Sequence, residues 1–264
     1  MWAKTGKKPI GQYIFLAFSI TWCAEALLII VEKIGLFAGA AGMVAYYIIF
    51  LFGALLAPMY AVFILLKKQR IIRGVKDFCG LIFKADHVLK TVIVTVLFVL
   101  VFLVVNVLNN DYLHEPWYLF FLYIPPMIIG GGLEEVGWRG FLQPALEEKV
   151  PFFLASLISG VLWSIWHLPL WFVQNASQSS MNFISFACYC IMGAFVLAAL
   201  YKLTKSVFSC VLIHASSNAL GGMFTENTLI NPIGIKLIAI YLILIFASII
   251  IYTVVDKKNK ILIG

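Results

Sequence analysis

The chain has 264 residues, of which 63% are hydrophobic and 12% are charged. A water-soluble domain carries about 25% charged residues, so this composition excludes a soluble globule and indicates a protein whose solvent is the lipid bilayer. The net charge of +7 would favour nucleic-acid binding only if the basic residues formed one patch beside stacking aromatic residues. They are instead spread over alternate loops, as described below, and we predict no nucleic-acid partner.

Eight apolar runs are long enough to be membrane-spanning helices, since a bilayer core of about 30 Å requires about 20 residues. They cover residues 11–31, 42–66, 91–108, 117–147, 151–173, 183–201, 206–224 and 233–255. The sequence therefore predicts an all-α polytopic membrane protein, a bundle of about eight transmembrane helices that forms a single integral-membrane domain over residues 1–264.

Basic residues are concentrated in every second connection between these runs. The first run follows Lys4, Lys7 and Lys8, and the segment 67–90 after the second run is rich in Lys and Arg. Neither residue type occurs in the connections 109–116, 174–182 and 225–232. Because cytoplasmic loops hold an excess of Lys and Arg, we predict that the N and C termini are both cytoplasmic.

The fourth run contains the charged sequence Glu134-Glu135-x-x-x-Arg139. An ionised side chain at the bilayer centre costs about 2.5–3.5 kcal/mol on the insertion scale, so such residues are candidate functional groups. On a helix, Glu135 and Arg139 are close enough to pair, whereas Glu134 is rotated by about 100° and stays free. Alternatively, the run ends at the membrane surface and its charges are solvated. Glu25, in the first run, has no partner that the sequence identifies.

Two further runs carry polar residues. The fifth run has a lone histidine, His167, and the seventh has His214 and Asn218 four residues apart, so this imidazole and amide share a helix face. Taken alone, each motif is more often structural, because polar residues also hold membrane helices together by hydrogen bonds. In combination, the three runs supply a carboxylate and an imidazole to deprotonate water, and an imidazole and an amide to stabilise an oxyanion.

These three motifs, in this order and each in a successive membrane segment, resemble the CPBP family of intramembrane endopeptidases. The family includes type II CAAX prenyl proteases and bacterial proteins of bacteriocin processing, bacteriocin immunity and abortive infection. The resemblance covers about residues 117–224, and the number of helices also fits. Trp163 stands where the family pattern usually has phenylalanine, which is a conservative change.

The resemblance implies a catalytic role for four residues. Glu134 would be the general base, assisted by His167, while His214 and Asn218 would polarise the scissile carbonyl group. The substrate would be a peptide bond of a membrane-associated peptide or protein, and the lipid bilayer would surround the enzyme.

The resemblance makes Glu135 and Arg139 mainly architectural and leaves the use of a metal open. Glu134, His167 and His214 would form a three-ligand zinc site with an open fourth position, as in a metalloendopeptidase. No H-E-x-x-H sequence is present to set the geometry of such a site. The same side chains serve equally well in a metal-free site where the glutamate activates water.

The start of the fourth helix decides whether the catalytic residues can meet. If it began at Trp117, Glu134 would lie about 25 Å from the outer face and His167 about 24 Å from the inner face, at 1.5 Å per residue. Because proline is tolerated at the start of a helix, we predict that the spanning helix runs from about Pro126 to residue 147. Residues 117–124 would then be interfacial or re-entrant.

Two other classes of function fit parts of the pattern. Intramembrane Glu and His residues also form the proton relays of transporters, but the two halves of the chain show no matched pair of broken helices. A non-catalytic immunity or scaffold protein would keep the fold, and the loss of a motif residue would favour it. None is lost, so the sequence favours the endopeptidase.

Cysteine labelling tests the predicted orientation. Cysteines introduced at Asn110, Gln178 and Asn227 should react with a membrane-impermeant maleimide added to intact cells, because these positions lie in neutral connections. Cysteines at Arg73 and Lys258 should react only after the cells are permeabilised. Labelling of the Lys258 position from outside would contradict the cytoplasmic C terminus and the eight-span count.

Overall fold

The structure, a computed structural model, describes residues 9–85 and 87–261, and its regular elements are all helical. Lys4, Lys7 and Lys8, on which part of the orientation prediction rests, lie outside the described residues. The helices are α1 (Ile10–Lys33), α2 (Gly39–Leu55), α3 (Ala57–Lys68), α4 (Val75–Ile82), α5 (Val88–Asn109), α6 (Leu119–Ile129), α7 (Gly132–Glu147), α8 (Phe152–Trp166), α9 (Phe183–Thr204), α10 (Val207–Gly221), α11 (Asn227–Ile230) and α12 (Ile235–Ile261).

Two of these helices change their hydrogen-bonding pattern along their length. The second half of α2, Ile49–Leu55, is π-helical. The helix α7 begins with a 3₁₀ turn at Gly132–Glu134 and contains a π-helical turn at Trp138–Leu142. Such π turns occur frequently at functional sites, and that of α7 lies within the charged sequence of the fourth run.

Each predicted apolar run coincides with a helix or with a bent pair of helices. By length and composition, α1, α5, α9, α12 and the segment Phe152–Phe172 can each cross a membrane. The pairs α2 with α3 and α6 with α7 are bent by 48° and 42°, and counting each as one span gives up to seven spans in the described ranges. The all-α polytopic membrane fold is thereby confirmed. Since α10 has only 15 residues, the eighth span stays a prediction.

The bend in the fourth run lies at glycines and not at the prolines. Pro125 and Pro126 are inside α6, which continues to Ile129, so the predicted start of the helix at Pro126 is wrong. Gly131 has a φ of +138°, which residues with a side chain rarely adopt. The chain therefore turns where a glycine permits this backbone conformation, and Glu134 follows directly after the turn.

Helix α9 forms the centre of the bundle. In its most apolar 18-residue window 67% of the residues are buried, compared with 11% for α5 and α12, whose outer faces suit contact with lipid. The helix packs against α8, α10 and α12. A Cβ atom on Gly160 of α8 would lie 2.7 Å from the Ile191 Cα atom of α9. A small residue at this contact lets the two backbones approach, as is typical of membrane helices.

The loops without Lys or Arg are linked to their neighbours on one side of the bundle. The Glu32 carboxylate, near the end of α1, accepts hydrogen bonds from the backbone N–H groups of Gln174 and Asn175 at 2.8 and 3.1 Å. The Thr225 N–H, after α10, donates to the Asp111 carbonyl, before α6, at 2.9 Å. The first contact joins the loop after α8 to the end of α1, and the second joins two of the neutral connections to each other.

Candidate active site

Trp163 of α8 joins residues from three helices. Its indole N–H donates a hydrogen bond to Glu134 Oε2 of α7 at 2.8 Å. The guanidinium carbon of Arg139, also in α7, lies 4.6 Å from the centre of the indole ring, where a cation is attracted to the ring face. The ring of His214, in α10, packs edge-to-face against the same indole with centroids 5.3 Å apart. A phenylalanine at this position would have no N–H group to donate a hydrogen bond to Glu134.

Glu134 is 2% exposed. The helical spacing predicted that it stays free of the pair between Glu135 and Arg139, and its carboxylate instead accepts the hydrogen bond of Trp163. Its carboxylate points toward α8 and away from the ion pair of its neighbour Glu135, because the two adjacent residues project in different directions. The hydrogen bond from Trp163 orients the carboxylate. A carboxylate can accept several hydrogen bonds, so this contact leaves capacity to bind a water molecule.

Glu135 interacts with two cationic or potentially cationic groups. Arg139 Nη1 lies 3.0 Å from both of its carboxylate oxygens, which is the ion pair that the spacing of four predicts. His214 Nδ1 lies 2.9 Å from Oε1. Glu135 and Arg139 are 0% exposed and His214 is 8% exposed. In this environment an ionised group is tolerated only with such partners, so the cluster ties α10 to α7.

The hydrogen bond of His167 identifies its neutral tautomer. Nδ1 lies 2.9 Å from the backbone carbonyl oxygen of Trp163. Because a carbonyl oxygen can only accept, Nδ1 carries the proton, and Nε2 of the neutral ring has a free lone pair. The rings of Trp166 and Phe186 pack edge-to-face against the imidazole, with centroids 4.6 and 5.1 Å away. His167 is therefore arranged as a proton acceptor.

The bend before α7 lies against the second imidazole and the amide. Asn218 Nδ2 donates to the Gly130 carbonyl at 3.1 Å. A Cβ atom on Gly131 would lie only 2.5 Å from Asn218 Nδ2 and 3.0 Å from His214 Nε2. Gly131 is thus required both for its backbone angle and for the space beside these atoms. Sequence reasoning missed it, although the three consecutive glycines before Glu134 were a usable signal.

One cavity of about 440 Å³ connects the residues that the sequence predicted as catalytic. This is within the range of about 300–1,000 Å³ that is usual for ligand sites. Its inner end is lined by Glu134, Trp163, His167, His214 and Asn218. The walls next to this end are mainly apolar and include Phe50, Leu51, Leu55, Phe102, Met127 and Phe186. The structure therefore brings the four side chains to one space, whose walls suit the apolar side chains of a peptide.

The three-ligand zinc site of Glu134, His167 and His214 stays a prediction. Nδ1 of His214 contacts Glu135, Nδ1 of His167 contacts a carbonyl oxygen, and Trp163 occupies one oxygen of Glu134. A metal ion would therefore have to bind through the two Nε2 atoms and the second Glu134 oxygen, since contacts of this kind at Nδ1 are usual for metal-bound imidazoles. Within residues 9–85 and 87–261, no group of three His, Cys, Asp or Glu side chains is close enough to hold a metal ion. We derive no step through a metal.

Glu25 of α1 is a further buried carboxyl group beside the site. It is 0% exposed, and within residues 9–85 and 87–261 neither of its oxygens has a hydrogen-bond partner. An ionised carboxylate without a partner would cost several kcal/mol in an apolar interior. The sequence identifies no partner for Glu25, and the part of the chain that the structure describes supplies no hydrogen-bonded one.

Comparison with known proteins shows that the site segment is similar to a family of enzymes. The family model described as type II CAAX prenyl endopeptidase, Rce1-like, matches residues 115–220. This segment contains all the motif residues described above, from Glu134 to Asn218, and agrees with the region of about 117–224 that carries the resemblance.

Two curated proteins are similar to the chain. CAAX prenyl protease 2 of Methanococcus maripaludis is 27% identical over 236 residues, which cover 80% of this chain and 83% of that protein. Lysostaphin resistance protein A of Staphylococcus haemolyticus is 28% identical over 148 residues, which cover 52% of this chain and 39% of that protein.

The resemblance to the type II CAAX prenyl proteases, inferred from the motifs, is confirmed by these matches. With the helical fold, they support an integral, multi-pass membrane protein of the intramembrane endopeptidase class.

Removal of Arg139 should destabilise the protein. The substitution Arg139→Ala deprives Glu135 of its guanidinium partner at a fully buried position, and breaking a buried pair costs about 3–5 kcal/mol. Thermal unfolding in detergent should therefore show a clearly lower Tm. Arg73→Ala, at an exposed arginine, is the control and should change stability by no more than about 0.5 kcal/mol. Equal Tm values for both variants would contradict a structural role of the buried pair.

Proposed function

We propose that this protein hydrolyses a peptide bond of a membrane-associated peptide or protein with a water molecule activated by Glu134 and His167. The observation that carries the proposal is the inner end of the cavity, where a carboxylate oriented by Trp163 and a neutral imidazole line the same space. A prenylated C-terminal segment and a secreted propeptide both belong to this class of substrate.

In the proposed first step, the water oxygen forms a bond to the scissile carbonyl carbon while Glu134 accepts a water proton. His167 assists as a hydrogen-bond acceptor, since its Nε2 lone pair is free when Nδ1 donates to Trp163. When the tetrahedral intermediate collapses, the C–N bond breaks and the proton passes from Glu134 to the amine nitrogen. Glu134 thereby returns to its carboxylate form, as a general acid–base catalyst must.

His214 and Asn218 are proposed to stabilise the oxyanion of the intermediate. His214 can donate through Nε2 when both ring nitrogens carry protons, and the Glu135 carboxylate 2.9 Å from Nδ1 fixes the orientation of the ring. Asn218 uses one N–H for the Gly130 carbonyl, and its amide nitrogen has a second. Donors of this kind typically contribute about 10²–10³-fold each to turnover. We assign Glu135, Arg139 and Trp163 to positioning these groups.

The substitution Glu134→Gln tests the base directly. The amide keeps the size of the side chain but cannot accept a proton from water, so cleavage by the purified enzyme should fall by at least the 10²–10⁴-fold typical of a general base. Expression and Tm should stay close to those of the wild type. Glu148→Gln, at an exposed position outside the cavity, makes the same chemical change and is a matched control that should retain activity.

Comparison of Glu134→Gln with the wild type also distinguishes an enzyme from a non-catalytic protein. A Glu134→Gln protein that cleaves at the wild-type rate would remove Glu134 from the mechanism. Peptide termini can also be compared between cells that carry the wild-type protein and cells that carry Glu134→Gln. If the termini and the phenotype are the same in both, the result would instead support a non-catalytic immunity or scaffold role.

Chelation tests the proposal that no resident zinc takes part. With a strong chelator present, turnover should persist, and His214→Ala should lower turnover by about 10²–10³-fold through loss of an oxyanion donor. Loss of activity with the chelator, followed by recovery on addition of Zn²⁺, would overturn the metal-free mechanism and restore Glu134, His167 and His214 as ligands. The metal content of the purified protein provides an independent measurement.

A further inference from the structure

The cavity at the candidate active site extends to one face of the bundle. Its outer rim is formed by polar residues of three loops, which include Asn110, Asn175, Ser177, Thr225, Glu226 and Thr228. Asn175 and Ser177 are exposed, and the others are partly exposed. The rim is therefore the wide, solvated end of the cavity, and Glu134 lies at the opposite, buried end.

The three rim loops are the connections that contain no Lys or Arg. They are segments 109–116, 174–182 and 225–232, which follow α5, α8 and α10. The hydrogen bonds from the Thr225 N–H to the Asp111 carbonyl and from the Asn182 N–H to the Leu229 carbonyl hold these segments together. The charge of this face therefore differs from that of the opposite face.

The opposite face carries the basic connections, and the cavity does not reach it. None of the described residues that line the cavity comes from the segments 67–90, 148–150 or 202–206. On the way to that face, α7 is filled by the fully buried side chains of Trp138, Arg139 and Leu142. Water or a peptide therefore has a route to Glu134 from the neutral face and is blocked by packed side chains from the basic face.

We infer that the active site opens on the non-cytoplasmic side of the membrane, and that its substrate is a peptide segment exported to that side. The statement about the substrate rests on the proposed function. The direction of opening rests only on the cavity and on the distribution of charge. Lys and Arg are retained on the cytoplasmic side, so the neutral rim is external. A prenylated C terminus of a cytoplasmic protein would then meet the closed face.

The lining of the cavity adds to the description of this substrate. Among the described lining residues there is no Lys or Arg, and the carboxylate and imidazole groups of the inner end belong to the proposed catalytic set. The rim offers amides, hydroxyls and the Glu226 carboxylate, which suit hydrogen bonds to an extended peptide backbone, and the deeper walls are mainly apolar. The substrate expected from this lining is an exported segment with uncharged, apolar residues around the cleaved bond.

Thiol protection tests the direction of opening without requiring catalysis. The parent protein carries Ala at Cys23, Cys79, Cys188 and Cys190 and keeps Cys210, which is 0% exposed. Single cysteines are introduced by Leu51→Cys on the inner wall and Ser177→Cys at the rim, with Arg73→Cys on the basic face. A charged, impermeant methanethiosulfonate is added to intact cells, and unreacted thiols are then counted with a polyethylene glycol maleimide after denaturation.

Reagent added outside should react with the cysteines at the Leu51 and Ser177 positions. The fraction of these thiols that remains for the maleimide should therefore be at least fivefold lower than in untreated cells. The Arg73 position should be protected only in permeabilised cells. Leu97→Cys, on the exposed apolar face of α5, should be protected in neither case, because a charged reagent does not enter the hydrocarbon core. If the parent protein does not fold, the same cysteines are introduced into the wild-type chain. The number of thiols in the wild-type chain is then subtracted from the number counted in each variant.

Protection of the Leu51 position only from the cytoplasmic side, or in neither preparation, would overturn the inference. Comparison of peptide termini between cells with wild-type protein and cells with Glu134→Gln then tests the substrate. The bonds cleaved only in wild-type cells should lie in exported segments, and bonds in cytoplasmic segments would contradict the substrate class. Identical termini in both cells, with Leu51 protected from outside, would reject the proposed protease and leave the direction of opening intact.

Discussion

The cost of placing an ionised group in an apolar interior is the constraint on which the centre of this protein depends. Glu135 is fully buried. Its charge is tolerated there because a nitrogen of Arg139 and a nitrogen of His214 each lie about 3 Å from its carboxylate. The contact fixes α10 against α7 and sets the orientation of the His214 ring. The adjacent residue Glu134 is then directed to the other side, into the cavity.

Trp163 couples this charged cluster to the reactive side chains. One face of its indole receives the Arg139 guanidinium, its N–H orients Glu134, and its backbone carbonyl sets the tautomer of His167. A single residue of α8 therefore relates the position of the buried cation to that of the proposed general base. Gly131 complements it from the other side, since its missing Cβ leaves space beside His214.

The bundle is asymmetric across the membrane, and this asymmetry gives the site a direction. The neutral loops are held together by hydrogen bonds and surround the opening, whereas tightly packed side chains of α7 close the basic side. The distribution of Lys and Arg in the sequence and the shape of the cavity in the structure are independent observations. The cavity shows which face the site reaches and the charge indicates which face is external, and the two together are the basis for proposing exported peptides as substrates.

The sequence by itself determined the membrane class, the positions of the apolar helices, the Glu135–Arg139 pair and the motifs that resemble the intramembrane endopeptidases. Only the tertiary structure decided that the chain bends at Gly131 and not at Pro126, and that Glu134 is held by Trp163. It also decided which face the cavity reaches. The physical reason is that a membrane helix is apolar all round, because lipid and neighbouring helices are equally apolar. Hydrophobic periodicity therefore fixes neither the rotation nor the depth of a helix, which depend instead on buried polar contacts and on close approach at glycine.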